Sequence, residues 1–366
     1  MMLQRVIISG GGTGGHIFPA LAIADELKRR NPSIQILFVG AIGRMEMEKI
    51  PQAGYEIVGL PIAGLQRKIT WKNLLLPIKL IRSFYKVYSV IKKFNPELVV
   101  GVGGYASGPT LQMAQLLKIP TLLQEQNSYP GKTNKLLAKK AKAICVAYPG
   151  MEQFFPKEKI KLTGNPVRAN LAADLSPLRQ EAAAFFGLDL AQPTILVIGG
   201  SLGALTLNKC IHEALEDFHK QQVQVLWQCG KSYDGMLQQQ GHDIPENIKV
   251  LPFIQRMDLA YALADIIISR AGALSVSELA LVGKPSILVP SPNVAEDHQT
   301  KNALSLVNAQ AALLVKDVEA AETLIPTCFD LISNRKQQEE LALKLSALAL
   351  PNATQQIVDV CESLKN

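Results

Sequence analysis

Three times in this chain an apolar run of strand length empties directly into a glycine cluster that opens a helical stretch. That junction constrains the fold more than any other feature. The clusters are Ser9-Gly10-Gly11-Gly12-Thr13-Gly14-Gly15-His16, Gly101-Val102-Gly103-Gly104-Tyr105-Ala106-Ser107-Gly108 and Gly199-Gly200-Ser201-Leu202-Gly203-Ala204. Glycine permits positive φ and lets another backbone or a ligand come close. A helix that starts there presents unbonded N–H groups and the positive end of its dipole, which together make a phosphate site. Taken singly, each cluster also reads as a tight strand–helix connection. Three in equivalent places argue for ligand sites.

The runs between the clusters set the fold class. Strand candidates are Arg5–Ser9, Gln35–Gly40, Glu97–Val102, Thr121–Gln124, Ile144–Ala147 and Lys159–Thr163, with helix-length segments such as Pro19–Arg30 and Pro109–Leu117 between them. They are rich in Val, Ile and Leu without polar alternation, as strands buried on both faces of a parallel sheet are. A second series follows Gly164-Asn165-Pro166: Thr194–Ile198, Gln224–Cys229, Lys249–Leu251, Ile266–Ser269, Ser286–Pro290 and Ala312–Val315. This predicts an α/β protein of two doubly wound parallel-sheet domains, residues 1–165 and 166–351, with a hinge at 164–170. A chain of 366 residues fits two domains. The tail, 352–366, has a helical pattern and could pack back on the first domain.

Charge divides the chain as the strands do. Residues 1–166 carry 23 Lys/Arg against 9 Asp/Glu, and the remainder carries 15 against 22. The first half is expected to meet something anionic, either nucleic acid or a membrane surface. The five cysteines are scattered and form no CxxC pair, which points to reduced thiols. The N-terminus enters an apolar run and a glycine turn at once, so no signal peptide is expected. No apolar run reaches about 18 residues, so no spanning helix is expected either.

The glycine turns exclude some phosphate ligands. No Gly-Lys-Ser/Thr follows any of them, so none is a P-loop. A dinucleotide fold wants an acid at the end of the next strand. Here those strands end Val39-Gly40-Ala41 and Gln228-Cys229-Gly230, which disfavours NAD and FAD. A further constellation, Ser269-Arg270-Ala271-Gly272-Ala273-Leu274-Ser275-Val276-Ser277-Glu278, follows a strand and opens a helix through Leu281. Glu278 within that helix could accept two hydrogen bonds from a ribose diol, or it could cap or face solvent. The polar run Pro290-Ser291-Pro292-Asn293-Val294-Ala295-Glu296-Asp297-His298-Gln299-Thr300 lies past a strand's carboxyl end, where α/β sheets bind ligands.

At this point the motifs carry a resemblance. GGGTGGH at 10–16, GVGGYASGP at 101–109, QEQN at 124–127, GNPVR at 164–168, GGSLGA at 199–204, SRAGALSVSE at 269–278 and EDHQ at 296–299 resemble, in order and over the full length, the MurG family. These are undecaprenyl-diphospho-muramoylpentapeptide β-N-acetylglucosaminyltransferases. The resemblance implies a GT-B architecture, two Rossmann-like domains facing across a cleft. It implies inverting transfer of N-acetylglucosamine from UDP-GlcNAc to the C4 hydroxyl of the muramoyl sugar of lipid I, giving lipid II and UDP. It also implies a peripheral place on the cytoplasmic face of the inner membrane. Donor contacts carried over are Thr13, Gly14, Gly15 and Asn127 near the sugar, Arg168, Ser201, Ile254 near the uracil, Ala273, Leu274, Ser275, Val276, Ser277 and Glu278 around the nucleotide, and Gln299 on the sugar. The family often has a second glutamine after Gln299, and this chain has Thr300.

The acceptor hydroxyl is a poor nucleophile that a base assists. His16, closing the first turn, is the candidate, since imidazole titrates near neutrality; it could instead orient the turn. Turn N–H groups, Ser201 and Arg168 would stabilise the departing UDP. The sequence holds no Asp-x-Asp triad or His/Cys cluster, so transfer is expected to need no metal or other cofactor. Gly14, Gly15, Gly103, Gly104, Tyr105 and Ser107, in the basic half, are candidates for the acceptor diphosphate. The stretch 65–94 interleaves Arg67, Lys68, Lys72, Lys79, Arg82, Lys86, Lys92 and Lys93 with Trp71, Phe84 and Tyr85 and contains no acid. It suits an anionic membrane surface; the alternatives are a core-facing helix with a solvated basic side, or nucleic acid, for which no binding motif is present.

Overall fold

The computed structural model describes residues 2–62, 76–167, 171, 174–200, 202–241 and 243–365. The chain divides into two compact units, Met1–Val167 with Asn352–Asn366, and Arg168–Pro351. The first holds a seven-stranded sheet: β1 (Arg5–Gly10), β2 (Gln35–Ala41), β3 (Glu56–Leu60), β4 (Leu98–Gly103), β5 (Thr121–Glu125), β6 (Ala143–Val146) and β7 (Ile160–Leu162). Their order is β3-β2-β1-β4-β5-β6-β7, and every ladder is parallel. The second holds six strands, β8 (Thr194–Ile198), β9 (Gln224–Gln228), β10 (Ile248–Leu251), β11 (Ile266–Ser269), β12 (Ser286–Leu288) and β13 (Leu313–Leu314). Their order is β10-β9-β8-β11-β12-β13, again parallel throughout.

Both sheets reverse direction once, between β1 and β4 and between β8 and β11. Crossovers leave to opposite faces there, which opens a crevice beyond the carboxyl ends of the two central strands. The three glycine clusters and the Ser269–Glu278 segment begin at the ends of these four strands. The apolar runs are buried as their composition requires: Val6, Ile7, Ile8, Leu98, Val99 and Val100 in one sheet, Ile195, Leu196, Val197, Ile266, Ile267 and Ile268 in the other, all at 0% exposure.

Sequence pattern missed β3. It is an edge strand with partly exposed residues and Gly59 inside it, so it lacks the continuous apolar run of a central strand. The helices Gly14–Arg30 and Ser107–Leu116 start inside the glycine clusters, earlier than the prolines at 19 and 109 suggested. All five cysteines are buried free thiols. Burial pushes Cys145 up to about 12, which keeps it protonated and unreactive at neutral pH.

The tail forms the helix Ala353–Ser363, and Ile357, Val358 and Cys361 are buried against Ile17, Ile23, Ala24 and Leu27 of the first unit. Arg30 fastens it: Nη1 donates to Asp359 at 2.6 Å and Glu362 at 2.9 Å, and Nη2 to the Gln355 carbonyl at 3.0 Å. Glu26 completes the cluster by accepting from Arg29 and Arg30. Ile357→Ala is expected to cost about 2–5 kcal/mol of stability by removing buried methyl groups, read as a lower urea midpoint. An unchanged midpoint would show that the helix contributes nothing to the first unit.

Candidate functional site

In the first unit two glycine turns share the space beyond β1 and β4. The sheet register shifts between Ser9 and Gly10, which sets Gly10 opposite Gly103. A Cβ on Gly104 would overlap the Gly11 carbonyl oxygen, and one on Gly103 would lie 2.8 Å from His16 Cδ2 and Nε2. Both glycines have positive φ, +97° and +85°. Ser107, fully buried, bolts the turns together: its hydroxyl lies 2.7 Å from the Ser9 carbonyl oxygen and 2.8 Å from that of Gly103. Of the residues expected to meet the acceptor diphosphate, Ser107 therefore spends its side chain on the turn, while Tyr105 stands half exposed at the tip.

His16 sits at the start of the helix Gly14–Arg30, whose N-cap is Thr13. The Thr13 carbonyl accepts from the N–H groups of His16 and Ile17. His16 Nδ1 lies 3.1 Å from the Gly11 carbonyl oxygen and 3.4 Å from Thr13 Oγ1. A carbonyl only accepts, so Nδ1 carries the proton and Nε2 is the basic nitrogen of the neutral ring. No acid closes β2, as the sequence indicated. One arrives later: buried Glu46 accepts the Gly12 N–H at 2.8 Å and the Ala41 N–H at 3.0 Å.

A buried polar network fixes the next loop. Gln124 Nε2 donates to Asn165 Oδ1 at 3.0 Å, and Asn165 Nδ2 donates to the Gln126 carbonyl at 3.0 Å. Gln126 Nε2 donates to the Val102 carbonyl at 2.8 Å, tying the loop to β4. Glu125 accepts the Asn127 N–H and side-chain amide at 3.1 and 3.2 Å, the Gly131 N–H at 3.3 Å and Asn134 Nδ2 at 2.8 Å. Burial raises the Glu125 carboxyl above the ordinary carboxylate range, and these four donors pull it back only in part. Asn127 is thus held by Glu125, and Asn165 ties the 124–127 motif to the segment after β7.

In the second unit the third turn leans on β9. A Cβ on Gly203 would overlap the Cys229 carbonyl, and one on Gly230 the Leu202 carbonyl. Gln228, which sequence reasoning passed over, joins the turn to residue 254: its Nε2 donates to the Gly200 carbonyl and its Oε1 accepts the Ile254 N–H, both at 2.9 Å. Ile254 itself is buried with Phe253 exposed beside it. Beyond β11, the helix Ala273–Val282 starts after Gly272. Glu278 is half-buried and accepts the Tyr261 hydroxyl at 3.0 Å. Val276 faces the core and its N–H donates to the Gly272 carbonyl at 2.9 Å, and Ser277 donates to the Ala273 carbonyl.

Arg270 clips these pieces together. Its Nη1 donates to the Val289 carbonyl and to Asp317, whose other oxygen accepts the Thr206 hydroxyl at 3.0 Å. In the 296–299 motif, Glu296 and Asp297 both hold left-handed φ, +56° and +50°, which turns the chain into the following helix His298–Val307. Gln299 Oε1 accepts the Ser291 N–H, and the Thr300 hydroxyl donates to Asp297. Asn302 Nδ2 reaches the Ala271 carbonyl at 3.3 Å, hooking this helix to the Arg270 turn. Arg168 and Ser201 lie outside the described residues.

The helix Leu76–Phe94 carries two apolar stripes. Val87 and Ile91 are buried, while Ile78, Ile81, Tyr85 and Tyr88 are exposed at helical spacing, Ile81 at 69% and Tyr85 at 77%. Lys79, Arg82 and Lys93 flank the outer stripe and Lys92 lies over its Tyr88 ring, while Lys86 Nζ donates to the Gly59 carbonyl at 2.7 Å. The preceding residues 65–75, with Arg67, Lys68, Trp71 and Lys72, lie outside the described residues. Among the described residues no helix is long and apolar enough to cross a membrane.

Comparison with known proteins assigns these turns to a family. Residues 6–146 match the glycosyltransferase family 28 N-terminal domain and residues 194–357 its C-terminal domain. A Flavobacterium psychrophilum protein named UDP-N-acetylglucosamine–N-acetylmuramyl-(pentapeptide) pyrophosphoryl-undecaprenol N-acetylglucosamine transferase is 54% identical over 98% of this chain and 97% of its own. A Bacteroides fragilis protein of the same name is 56% identical over 95% and 92%. The chain belongs to the MurG family. The crystal structure of Acinetobacter baumannii MurG matches with a TM-score of 0.78 at 33% identity, over 98% of this chain and 99% of that one. The two parallel sheets are those of the GT-B fold. A UDP-GlcNAc 2-epimerase from Neisseria meningitidis, at TM-score 0.68 and 16% identity, shares that fold alone.

The Gln228 bridge is testable by itself. Gln228→Ala leaves the buried Ile254 N–H without its acceptor, while the Gly200 carbonyl keeps the Gly203 N–H, and is expected to cost about 1–3 kcal/mol. Urea unfolding reads this, and an unchanged midpoint would show the bridge to be idle.

Proposed function

We propose that the chain transfers N-acetylglucosamine from UDP-GlcNAc to the C4 hydroxyl of the muramoyl sugar of lipid I, yielding lipid II and UDP. The observation that carries this reading is His16, fixed with Nδ1 on the Gly11 carbonyl and Nε2 beside Gly103, at the strand reversal of a sheet whose partner domain repeats the arrangement. The acceptor oxygen attacks the anomeric carbon from the face opposite UDP, the bond to UDP breaks, and the configuration inverts. His16 Nε2 takes the hydroxyl proton as the new bond forms.

The second unit supplies the donor site. Charge grows on the departing diphosphate, and the N–H groups of the 199–204 turn and the start of the helix Leu205–Glu213 neutralise it, with Ser201 and Arg168. Glu278 accepts from the ribose hydroxyls, positioned by Tyr261. Ile254 and Phe253 flank the uracil, and residues 273–277 contribute mainly backbone. Gln299, Thr13, Gly14, Gly15 and Asn127 address the sugar. The acceptor diphosphate falls to the turns of the first unit, at the N–H groups of Gly14 and Gly15 and beside Gly103, Gly104 and Tyr105.

Lipid I is membrane-anchored, and the outer stripe of the helix Leu76–Phe94 suits that setting. Ile78, Ile81 and Tyr85 enter the interface of an anionic leaflet while the flanking lysines and arginines meet its headgroups. We place the protein peripherally on the cytoplasmic face of the inner membrane.

Incubation with UDP-GlcNAc and a lipid I analogue is expected to release UDP and form the disaccharide; absence of both would reject the activity. His16→Ala is expected to lower kcat by about 10²–10⁴-fold, and wild-type turnover in that variant would end the base assignment. Glu278→Ala is expected mainly to raise the KM for UDP-GlcNAc. Ile81→Glu is expected to weaken flotation with anionic vesicles by roughly tenfold or more, the worth of one buried apolar side chain. Failure of the unsubstituted protein to bind such vesicles would refute the membrane reading.

A further inference from the structure

Glu46 is buried at 1% exposure, and it is bonded to the same peptide group that holds His16. That peptide joins Gly11 to Gly12. Its carbonyl oxygen accepts from His16 Nδ1 at 3.1 Å, and its N–H donates to Glu46 Oε2 at 2.8 Å. The other carboxylate oxygen takes the Ala41 N–H at 3.0 Å, so Glu46 spans the end of β2 and the turn after β1. Glycines make the room. A Cβ on Gly11 would overlap the Glu46 carboxyl carbon, and one on Gly40 would lie 2.6 Å from its Cγ.

We propose that Glu46 is the positioning residue of His16, acting through the Gly11–Gly12 peptide in a carboxylate–peptide–imidazole chain. An N–H that donates to an anion polarises its own carbonyl, so hydrogen bonds in series reinforce one another. Glu46 thereby makes the Gly11 oxygen a stronger acceptor. That holds His16 in the Nδ1–H tautomer and stabilises the imidazolium formed when Nε2 takes the acceptor's proton. In a Ser-His-Asp triad the orienting acid touches the imidazole directly; here one peptide group stands between them. The proton stays on Nε2 until it leaves for water, and none passes to Glu46. Among the described residues, other titratable groups on the surrounding segments are Arg44 before Glu46, Glu48 and Lys49 after it and paired with each other, Tyr105 on the facing turn and Glu125 at the end of β5. Glu125 is bonded to Asn127, Gly131 and Asn134 instead.

The inference rests on His16 being the base, and one set of measurements separates the two. In Glu46→Gln, kcat is expected to fall about 10–100-fold, the usual cost of losing an orienting partner, with the KM for UDP-GlcNAc nearly unchanged. The acidic limb of kcat/KM, where His16 protonates and activity is lost, is expected to move to lower pH, because the imidazolium has lost its negative partner. A Glu46→Gln enzyme with wild-type kcat, or with reduced kcat and an unmoved limb, overturns the proposal. Wild-type activity in His16→Ala overturns the base reading beneath it instead. Should Glu46→Gln fail to fold, the unsubstituted enzyme with ¹⁵N-labelled glycine decides. Its Gly12 amide resonance is expected to titrate with the acidic limb and to lose that step in His16→Ala. A Gly12 resonance flat across that range overturns the proposal.

Discussion

Strands β1 and β4 lie side by side, and the chain must turn away from both ends within a single space. Side chains do not fit there. Gly104 comes against the Gly11 carbonyl and Gly103 against the His16 ring, while the single Ser107 hydroxyl is shared between the Ser9 and Gly103 carbonyls. Backbone-on-backbone contact is rigid, because it has no rotamers to exchange. The Gly11–Gly12 peptide is consequently held on three sides, by Gly104, Glu46 and His16, and the imidazole inherits its orientation from that peptide. The base proposed above, His16, is thus built on the least adjustable part of the domain, which suits the precise placement such a role would require.

The second domain meets the same topological demand with side chains. Its glycine turn packs on β9 rather than on the turn after β11, through Gly203 and Gly230. The gap toward β11 is spanned by polar links instead: Gln228 between Gly200 and Ile254, Arg270 among Val289, Asp317 and the start of the Leu205–Glu213 helix, and Asn302 to Ala271. Such links hold their length while permitting small rotations. The nucleotide site proposed above draws on four segments, and a buried guanidinium with fixed geometry keeps such segments in register better than apolar contact.

Much of this was legible in the sequence because buried parallel strands and glycine turns leave local signatures. The twelve apolar runs are strands within a residue or two of where composition put them, and the one strand missed, β3, is an edge whose burial is partial. Pairings between distant residues were not legible. Gln124 and Asn165 each look like ordinary polar loop residues until β5 and the segment after β7 bring them together. Glu46 is more instructive. The end of β2 carries no acid, which disfavours a dinucleotide, yet a carboxylate arrives from five residues further on and reaches back into the turn. Motif membership also fails to give direction. Ser107 and Val276 stand in the motifs because they build the turns, and residue type alone does not separate such positions from Tyr105 or Glu278, which face outward or half outward.

The membrane reading proposed above rests on the helix Leu76–Phe94. A helix that only covered a sheet would need one apolar stripe, and Val87 with Ile91 provide it. The second stripe leaves large apolar side chains in water, an arrangement that persists when the patch is an interaction surface. The flanking lysines and arginines keep that patch soluble and add attraction to an anionic leaflet, so burial and charge act in the same direction. The rest of the chain sharpens the effect. Residues 1–166 carry the positive excess and the remainder a negative one, so an anionic surface draws the first domain toward it and pushes the second away.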